Sequence, residues 1–90
     1  MKLHVRYFAS IREALGAGEA LEMADAASDD ARSVTVGAVR DALIQRGGAH
    51  AEALARHRPL RCALNQVLCD EAASVPDGAE LAFFPPVTGG

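Results

Sequence analysis

The sequence lacks most of the features that mark the common functional classes of small proteins. It contains one lysine, Lys2, against eight arginines, and its formal net charge is −3. Acidic and basic residues are scattered along the chain, whereas a nucleic-acid-binding surface needs clustered lysine and arginine. These absences argue against a protein that binds nucleic acid.

Cysteine is scarce, and long apolar runs are missing. Cys62 and Cys69 are too few for a disulfide framework, and we expect both to be reduced thiols with a structural role. Residues 1–8 alternate polar and apolar side chains, unlike the continuous apolar segment of a signal peptide. No apolar run approaches the ~18 residues that a membrane span requires. We therefore expect a cytoplasmic protein that does not associate with membranes.

No internal segment matches a catalytic or metal-binding motif. A CxxC pair and a GxSxG motif are both missing, and His4, His50 and His57 do not have the spacing of metal ligands. Gly47-Gly48 is not followed by the Lys and Ser/Thr of a phosphate-binding loop, so we expect it to end a helix. The sequence therefore predicts no metal site. The basic cluster at 56–61 is a separate feature, and it is more typical of a solvated helix end than of a partner site.

The first third of the chain predicts a strand, a short helix and a second strand. Residues 3–8 alternate with the period of a half-buried strand. Ser10 to Glu13 has the pattern of a capping box, which predicts a short helix that ends at Gly16. Residues 19–23 predict another strand, and the small, acidic stretch at 25–33 predicts a surface loop.

The rest of the chain is dominated by one helix and by further strands. Thr35 is a good N-cap, and apolar residues follow it at helical spacing as far as Gly47-Gly48. A short helix and three strands are predicted next, at 49–57, 60–65, 67–69 and 81–84. Strands on both sides of one helix predict an α+β fold, in which the helix crosses a mixed sheet of four to five strands. A β-grasp (ubiquitin-like) arrangement fits this order, and so does a ferredoxin-like split unit.

The strongest functional signal lies at the end of the chain. Phe83-Phe84 would anchor the last strand, and Pro85-Pro86 favours an extended exit of ~3.1 Å per residue. Residues 85–90 can therefore carry a carboxylate up to roughly 20 Å from the fold. Gly89-Gly90 is slim and permissive, which suits a tail that threads a narrow tunnel. We therefore divide the chain into a β-grasp domain, 1–84, and a flexible tail, 85–90.

The last eight residues, Phe-Phe-Pro-Pro-Val-Thr-Gly-Gly, resemble the C-terminal signature of molybdopterin synthase small subunits. Shorter similarities to the same family lie at Tyr7–Ala9, Ile11–Glu13, Leu64–Gln66 and Asp77–Glu80. Residues 22–33 depart from it, because they are longer and more acidic than the family pattern. The resemblance implies a β-grasp fold and a sulfur carrier in molybdenum cofactor biosynthesis.

The resemblance also implies a reaction cycle that is centred on Gly90. An ATP-dependent adenylyltransferase, similar to ubiquitin activators, would adenylate the Gly90 carboxylate, and a sulfur donor enzyme would convert it to a thiocarboxylate. The large synthase subunit would then receive the tail in a tunnel and transfer the sulfur to cyclic pyranopterin monophosphate. The tail residues in that tunnel would be Pro85, Pro86, Val87, Thr88 and Gly89. In this cycle the chain binds no cofactor and is a non-catalytic subunit of a heterotetramer.

Partner contacts in the family centre on a hydrophobic patch beside the tail. By position in the matching motifs, the resemblance places these contacts at Phe8, Leu68 and Phe84. The strand pattern agrees for Phe8, because the residues that alternate with it would face the helix. The alternative is that all three are ordinary core residues, and we assign Tyr7 and Phe83 to the core.

Other functions stay open at this point. A sulfur carrier for thiamin synthesis and a ubiquitin-like protein modifier can both end in Gly-Gly, although the Phe-Phe-Pro-Pro-Val-Thr stem argues against them. A non-catalytic interaction domain with an inert tail is a further alternative, and such a tail would tolerate a C-terminal tag.

Overall fold

A computed structural model describes residues 1–23 and 34–86 of the chain. Within these ranges the elements in chain order are β1 Lys2–Tyr7, α1 Ala9–Leu15, β2 Gly18–Glu22, α2 Val36–Ile44, α3 Gly48–Ala53, β3 Arg61–Leu64, β4 Val67–Cys69 and β5 Glu80–Phe84. The predicted acidic loop at 25–33 and the last part of the predicted tail, 87–90, lie outside the described residues.

The strands form one five-stranded sheet in the order β2-β1-β5-β3-β4. β1 and β5 pair in parallel near the middle of the sheet, and the other neighbouring strands pair antiparallel. The first and last strands are therefore neighbours, although most of the chain separates them. This mixed sheet with helices packed across it confirms the predicted β-grasp fold.

The core lies between the sheet and the helices. Alternate residues of β1 are buried, and Tyr7 and Phe83 are each only 1 % exposed, which confirms their assignment to the core. α2 contributes Val36, Val39 and Leu43, which are fully buried in the same cluster. Burial of each large apolar side chain contributes roughly 1.5–3 kcal/mol to folding. None of the helices in the described part of the chain has the length and apolarity that crossing a bilayer requires.

The predicted capping box at Ser10 is wrong, because the N-cap of α1 lies two residues earlier. Phe8 is the N-cap residue, and no side chain caps this helix. The Phe8 N–H donates to the Phe83 carbonyl at 3.2 Å, and the Phe8 carbonyl accepts from the N–H groups of Ile11 and Arg12. β1 therefore continues directly into the first helical turn. The change of direction occurs at Ala9, whose φ is 55°.

The start of α2 confirms the prediction, but its end does not. The Thr35 hydroxyl accepts a hydrogen bond from the Ala38 N–H at 3.1 Å, as expected of an N-cap. α2 ends at Ile44, and Gly47 serves as the N-cap of α3 while Gly48 is its first residue. Both glycines have positive φ, 77° and 57°, which reverses the chain between the two helices.

A buried arginine joins α2 to the chain that follows α3. Arg40 is 3 % exposed, and the apolar spacing of α2 does not predict it in the core. Its Nε donates to the Leu54 carbonyl at 2.8 Å, and its Nη2 donates to the carbonyls of Ala55 and Arg58. Its Nη1 donates to the Glu71 carboxylate at 2.6 Å. The carbonyls of the segment that follows α3, together with Glu71, thereby supply hydrogen-bond acceptors for the buried guanidinium.

β3 and β4 form a tight hairpin. Asn65 and Gln66 have φ values of 48° and 71°, and two consecutive positive values define the type I′ turn of a two-residue loop. The Asn65 carboxamide oxygen also accepts from the Glu80 N–H at 3.0 Å, which ties the turn to the start of β5. The short loop fixes the register of the hairpin, with the pairs Leu64 and Val67, Ala63 and Leu68, and Cys62 and Cys69.

Candidate functional site

The face of the sheet that points away from the helices, here named the outer face, carries the three predicted partner contacts. The register forms one row across β1, β5, β3 and β4, made of Arg6, Ala82, Ala63 and Leu68. Phe84 lies two residues beyond Ala82, and Phe8 two beyond Arg6 with its backbone still extended. Because strand side chains alternate, both point to the same face as this row.

The exposure of these side chains separates them from the core. Phe8 is 37 % and Leu68 61 % exposed, whereas Phe84 is half-buried, and none of the three belongs to the core cluster. The alternative that Phe8 and Leu68 are ordinary core residues therefore does not fit. Neighbouring exposed apolar side chains on one face are typical of an interaction surface.

Small residues and arginines complete the outer face. Ala63 and Ala82 have little exposed surface, because taller side chains surround them in the adjacent strands. The Arg6 guanidinium lies 5.5 Å from the centre of the Phe8 ring, a cation–π distance. Arg61 pairs in register with Phe84 and is exposed. The two alanines thus lie low at the centre of the outer face, with the larger apolar side chains around them. Arg6 lies on one side, in β1, and Arg61 on the other, in β3.

The tail begins beside this surface. β5 is hydrogen-bonded to β1 on one side and to β3 on the other, so it leaves the fold from the middle of the sheet. Pro85 and Pro86, which follow it, are half-buried. They have no N–H to donate, so the ladder ends at Phe84. The predicted carrier residue, Gly90, and its neighbours Val87 to Gly89 lie outside the described residues.

A groove of about 480 Å³ adjoins the proline pair on the helical side. Apart from Pro85 and Pro86, it is lined by side chains of α1, α3 and residues 58–60. The side chains that bring polar groups to it are Ser10, Glu52 and Arg58, which include neither a histidine nor a cysteine. Among the described residues that line the groove, the Ser10 hydroxyl therefore has no imidazole base beside it.

The three histidines lie apart from one another in the fold. His4 is on β1, His57 is exposed after α3, and His50 lies 2.9 Å from the Glu19 carboxylate. Among residues 1–23 and 34–86, no group of three or more His, Cys, Asp and Glu side chains could hold a metal ion.

The basic cluster predicted at 56–61 divides into separate environments. Arg56 forms ion pairs with the carboxylates of Asp41 and Glu71 and donates to the Gly37 carbonyl, so it links the end of α3 to α2. Arg58 lines the groove beside the proline pair, and Arg61 lies on the outer face. All the basic residues of the cluster are exposed, as a solvated segment requires, but the chain turns between them and directs them to different surfaces.

A charged cluster around Glu19 is the feature that the sequence analysis missed. The Tyr7 hydroxyl donates to Glu19 at 2.8 Å, and Arg46 donates to the other carboxylate oxygen at 2.5 Å. Burial opposes ionisation of Glu19, but the hydrogen bonds from Arg46, His50 and Tyr7 outweigh it and lower the pKa of Glu19 to about 2. Burial and the bond to Glu19 raise the pKa of Tyr7. The cluster joins β1 and β2 to the helical side, and it keeps the Glu19 carboxylate ionised beside the Arg46 guanidinium.

A mixed β-grasp sheet, an apolar outer face and a C-terminal strand that leaves beside that face together define a ubiquitin-like domain. Residues 5–90 match the ThiS family, and the chain belongs to this family. It is 41% identical over 88 residues to the molybdopterin synthase sulfur carrier subunit of Haemophilus influenzae, and the match covers 98% of this chain and 99% of that protein.

Solved structures show the same fold. SAMP1 from Haloferax volcanii has a TM-score of 0.71 and 25% sequence identity, with both chains covered completely. A chain of the complex of subunits 1 and 2 of molybdopterin-converting factor from Helicobacter pylori has a TM-score of 0.64 and 24% identity, and both chains are again covered completely.

Proposed function

We propose that this chain is a sulfur carrier in molybdenum cofactor biosynthesis, the small subunit of molybdopterin synthase. The observation that carries the proposal is the 41% identity to the Haemophilus influenzae sulfur carrier subunit, which extends over 98% of this chain. The family match runs to residue 90 and so includes the Gly89-Gly90 terminus. The proposal places the chemistry at the end of the chain and not within the fold.

In this proposal Gly90 is the covalent carrier. A carboxylate resists nucleophiles because of its negative charge and its poor leaving group. A ubiquitin-activator-like adenylyltransferase therefore converts it with ATP into an acyl-adenylate, and pyrophosphate is released. Hydrosulfide supplied by a donor enzyme attacks the acyl carbon, AMP leaves, and loss of the S–H proton gives a thiocarboxylate on Gly90. The thiocarboxylate is ionised near neutral pH and is a soft nucleophile for transfer to cyclic pyranopterin monophosphate.

The large synthase subunit is the proposed partner for the outer face. Phe8, Leu68 and Phe84 would be covered by that subunit, and the tail from Pro85 to Gly89 would enter its tunnel. The shared face of the three apolar residues supports this arrangement, as does the start of the tail beside Phe84. A heterotetramer of two small and two large subunits completes the proposal. ATP is then a substrate of the activating enzyme, and this chain holds no cofactor.

The test is the formation of the thiocarboxylate. The purified chain is incubated with ATP, the activating enzyme and a sulfur source, and its mass is then measured. We expect sulfur to replace one oxygen in the peptide that contains Gly90. A chain from which Gly90 is deleted, treated in parallel, should gain no sulfur. Sulfur found on Cys62 or Cys69 would show that the carrier mechanism is wrong.

The second candidate is a ubiquitin-like protein modifier. The observation that favours it is the similarity to SAMP1, small archaeal modifier protein 1, from Haloferax volcanii. A modifier would form amide bonds between Gly90 and lysines of other proteins when ATP and the activating enzyme are present. Mass-shifted conjugates that disappear with the Gly90 deletion would favour this candidate.

Transfer of sulfur to a thiazole precursor but not to the pterin would favour the thiamin alternative.

A further inference from the structure

The two cysteines lie side by side in the β3–β4 hairpin. Cys62 and Cys69 are directly opposed in the antiparallel register, and their Sγ atoms are 3.7 Å apart. The Cys62 thiol also donates to the Cys69 carbonyl at 3.3 Å. Both thiols are free, and the proposed sulfur-carrier cycle uses neither.

The backbone already has the spacing that a disulfide bond needs. The Cα atoms of opposed residues in antiparallel strands lie about 4.5–5.5 Å apart, within the range of roughly 4.4–6.8 Å found across disulfides. The type I′ turn at Asn65-Gln66 holds the register that opposes the two cysteines. Side-chain rotation can therefore bring the sulfurs from 3.7 Å to bonding distance without a change of strand pairing.

The two thiols differ in their access to solvent. Cys69 is half-exposed on β4, a three-residue strand at the edge of the sheet. Cys62 is 4 % exposed and belongs to the core cluster. Burial and the interaction with Cys69 raise the pKa of Cys62 to about 12, and the nearby charges of Asp70 and Glu71 act in the same direction. A solvent oxidant therefore meets Cys69 first, and Cys62 lies behind it.

We propose that Cys62 and Cys69 form a site of reversible oxidative modification, at which a low-molecular-weight disulfide such as glutathione disulfide converts the two thiols into a cross-strand disulfide. The Cys69 thiolate attacks one sulfur of the oxidant, forms a mixed disulfide and releases one glutathione thiolate. The Cys62 sulfur then attacks the Cys69 Sγ, and its proton passes to the departing thiolate, which leaves as the second glutathione. Two electrons pass from the protein to the oxidant, which leaves as two reduced glutathione molecules.

The disulfide would stabilise an edge strand that is otherwise held by one neighbour. Among the strands of residues 1–23 and 34–86, β4 pairs with β3 alone, so its opening requires the loss of three residue pairs. A covalent link from Cys69 to Cys62 prevents this opening. It also reduces the conformational entropy of the unfolded chain, so the melting temperature should rise by a few degrees.

The experiment treats the reduced, full-length chain with excess glutathione disulfide in native buffer, followed by acid quenching, unfolding and alkylation. We expect a product that has lost two hydrogen atoms, takes up no alkylating reagent and yields a peptide that links Cys62 to Cys69. Dithiothreitol should restore both thiols. Hydrogen exchange at residues 67–69 should be slower in the oxidised chain than in the reduced chain.

Two matched variants separate the steps of the reaction. Cys62→Ala should stop at a glutathione mixed disulfide on Cys69, because the resolving thiol is missing. Cys69→Ala should leave the buried Cys62 unmodified over the same period. Three results with the wild-type chain would overturn the proposal: both thiols stay open to alkylation, the reaction stops at the mixed disulfide, or the product is an intermolecular dimer. Formation of the intramolecular bond only in denaturant would also overturn it, because the native hairpin would then be holding the sulfurs apart.

Discussion

At the scale of single residues, neighbouring aromatic side chains have opposite environments. Tyr7 is 1 % exposed whereas Phe8 is 37 % exposed, and Phe83 is buried whereas Phe84 is only half-buried. The alternation of a strand explains both pairs, because adjacent side chains point to opposite faces of the sheet. The inner member of each pair stabilises the core, which leaves the outer member free to contact a partner.

Leu68 and Val67 provide a matched test of the outer face. Both are exposed, at 61 % and 67 %, but they are adjacent on β4 and so point to opposite faces. We expect Leu68→Asp to weaken binding to the large synthase subunit by about tenfold or more, because a charge would be buried without a partner at the interface. Val67→Asp should leave the Kd nearly unchanged. Calorimetric titration of both variants measures the difference.

Thermal melts of the same variants give the control. The melting temperature of Leu68→Asp should stay within a few degrees of the wild type, since the side chain is already exposed in the isolated chain. Equal losses of binding for the two variants would argue against a partner that covers the outer face. A large loss of stability in Leu68→Asp would return this residue to a structural role.

At the scale of secondary-structure elements, the Glu19 cluster predicts a pH dependence of stability. The cluster joins β2 to β1 through Tyr7 and to the helical side through Arg46 and His50. The pKa of Glu19 falls from its ordinary value of 4.5 to about 2 in the folded chain. Its contribution to the free energy of unfolding is therefore fully present above pH 4.5 and is lost as the pH falls towards 2.

Urea unfolding at pH 5 and at pH 3 tests this dependence. Glu71 also has a lowered pKa, held down by Arg56 and Arg40 against the opposing effect of burial, so the wild-type chain contains more than one contribution of this sign. The difference between the wild type and Glu19→Gln isolates the part due to Glu19. We expect this difference to be large at pH 5 and to shrink at pH 3. Glu22→Gln, an exposed glutamate of the same strand, should match the wild type at both values.

At the scale of the whole molecule, the proposed function depends on the length of the chain beyond β5. A reacting sulfur must lie within about 3–3.5 Å of its target, and a displacement of ~1 Å can reduce the rate on the order of a hundredfold. Addition of one alanine after Gly90, or deletion of Gly90, moves the terminus by up to ~3.6 Å. We therefore expect either change to abolish sulfur transfer, while the melting temperature and most of the affinity for the large subunit are retained.

Single-turnover transfer to the pterin precursor measures this effect. The thiocarboxylate is prepared chemically on each variant, so that a failure of activation cannot imitate a failure of delivery. The unmodified chain, charged in the same way, sets the reference rate. Near-normal transfer by the lengthened chain would show that tail length does not position the sulfur, and the argument from the rigid Pro85-Pro86 stem would then be wrong.

Local signals predicted the parts of this molecule that depend on a few neighbouring residues. The alternation in β1, the N-cap at Thr35 and the end of the last strand at Pro85 all follow from backbone geometry and hydrogen bonding within about one turn or one strand. The chemistry proposed for Gly89-Gly90 also depends on a few neighbouring residues, because it needs a free carboxylate and a slim backbone and not a folded pocket, and it stays a prediction.

Tertiary structure decided which distant residues meet. The parallel pairing of β1 with β5 brings Phe8 beside Phe84, and the place of β3 between β5 and β4 brings Leu68 to the same face. The burial of Arg40 depends on carbonyls that lie beyond α3, and no spacing within α2 reveals them. Strand order and register are set by the packing of segments far apart in the chain. The sequence by itself therefore determined most of the elements and points to the terminus that we propose as reactive, whereas the surface beside the end of β5 exists only once the sheet has formed.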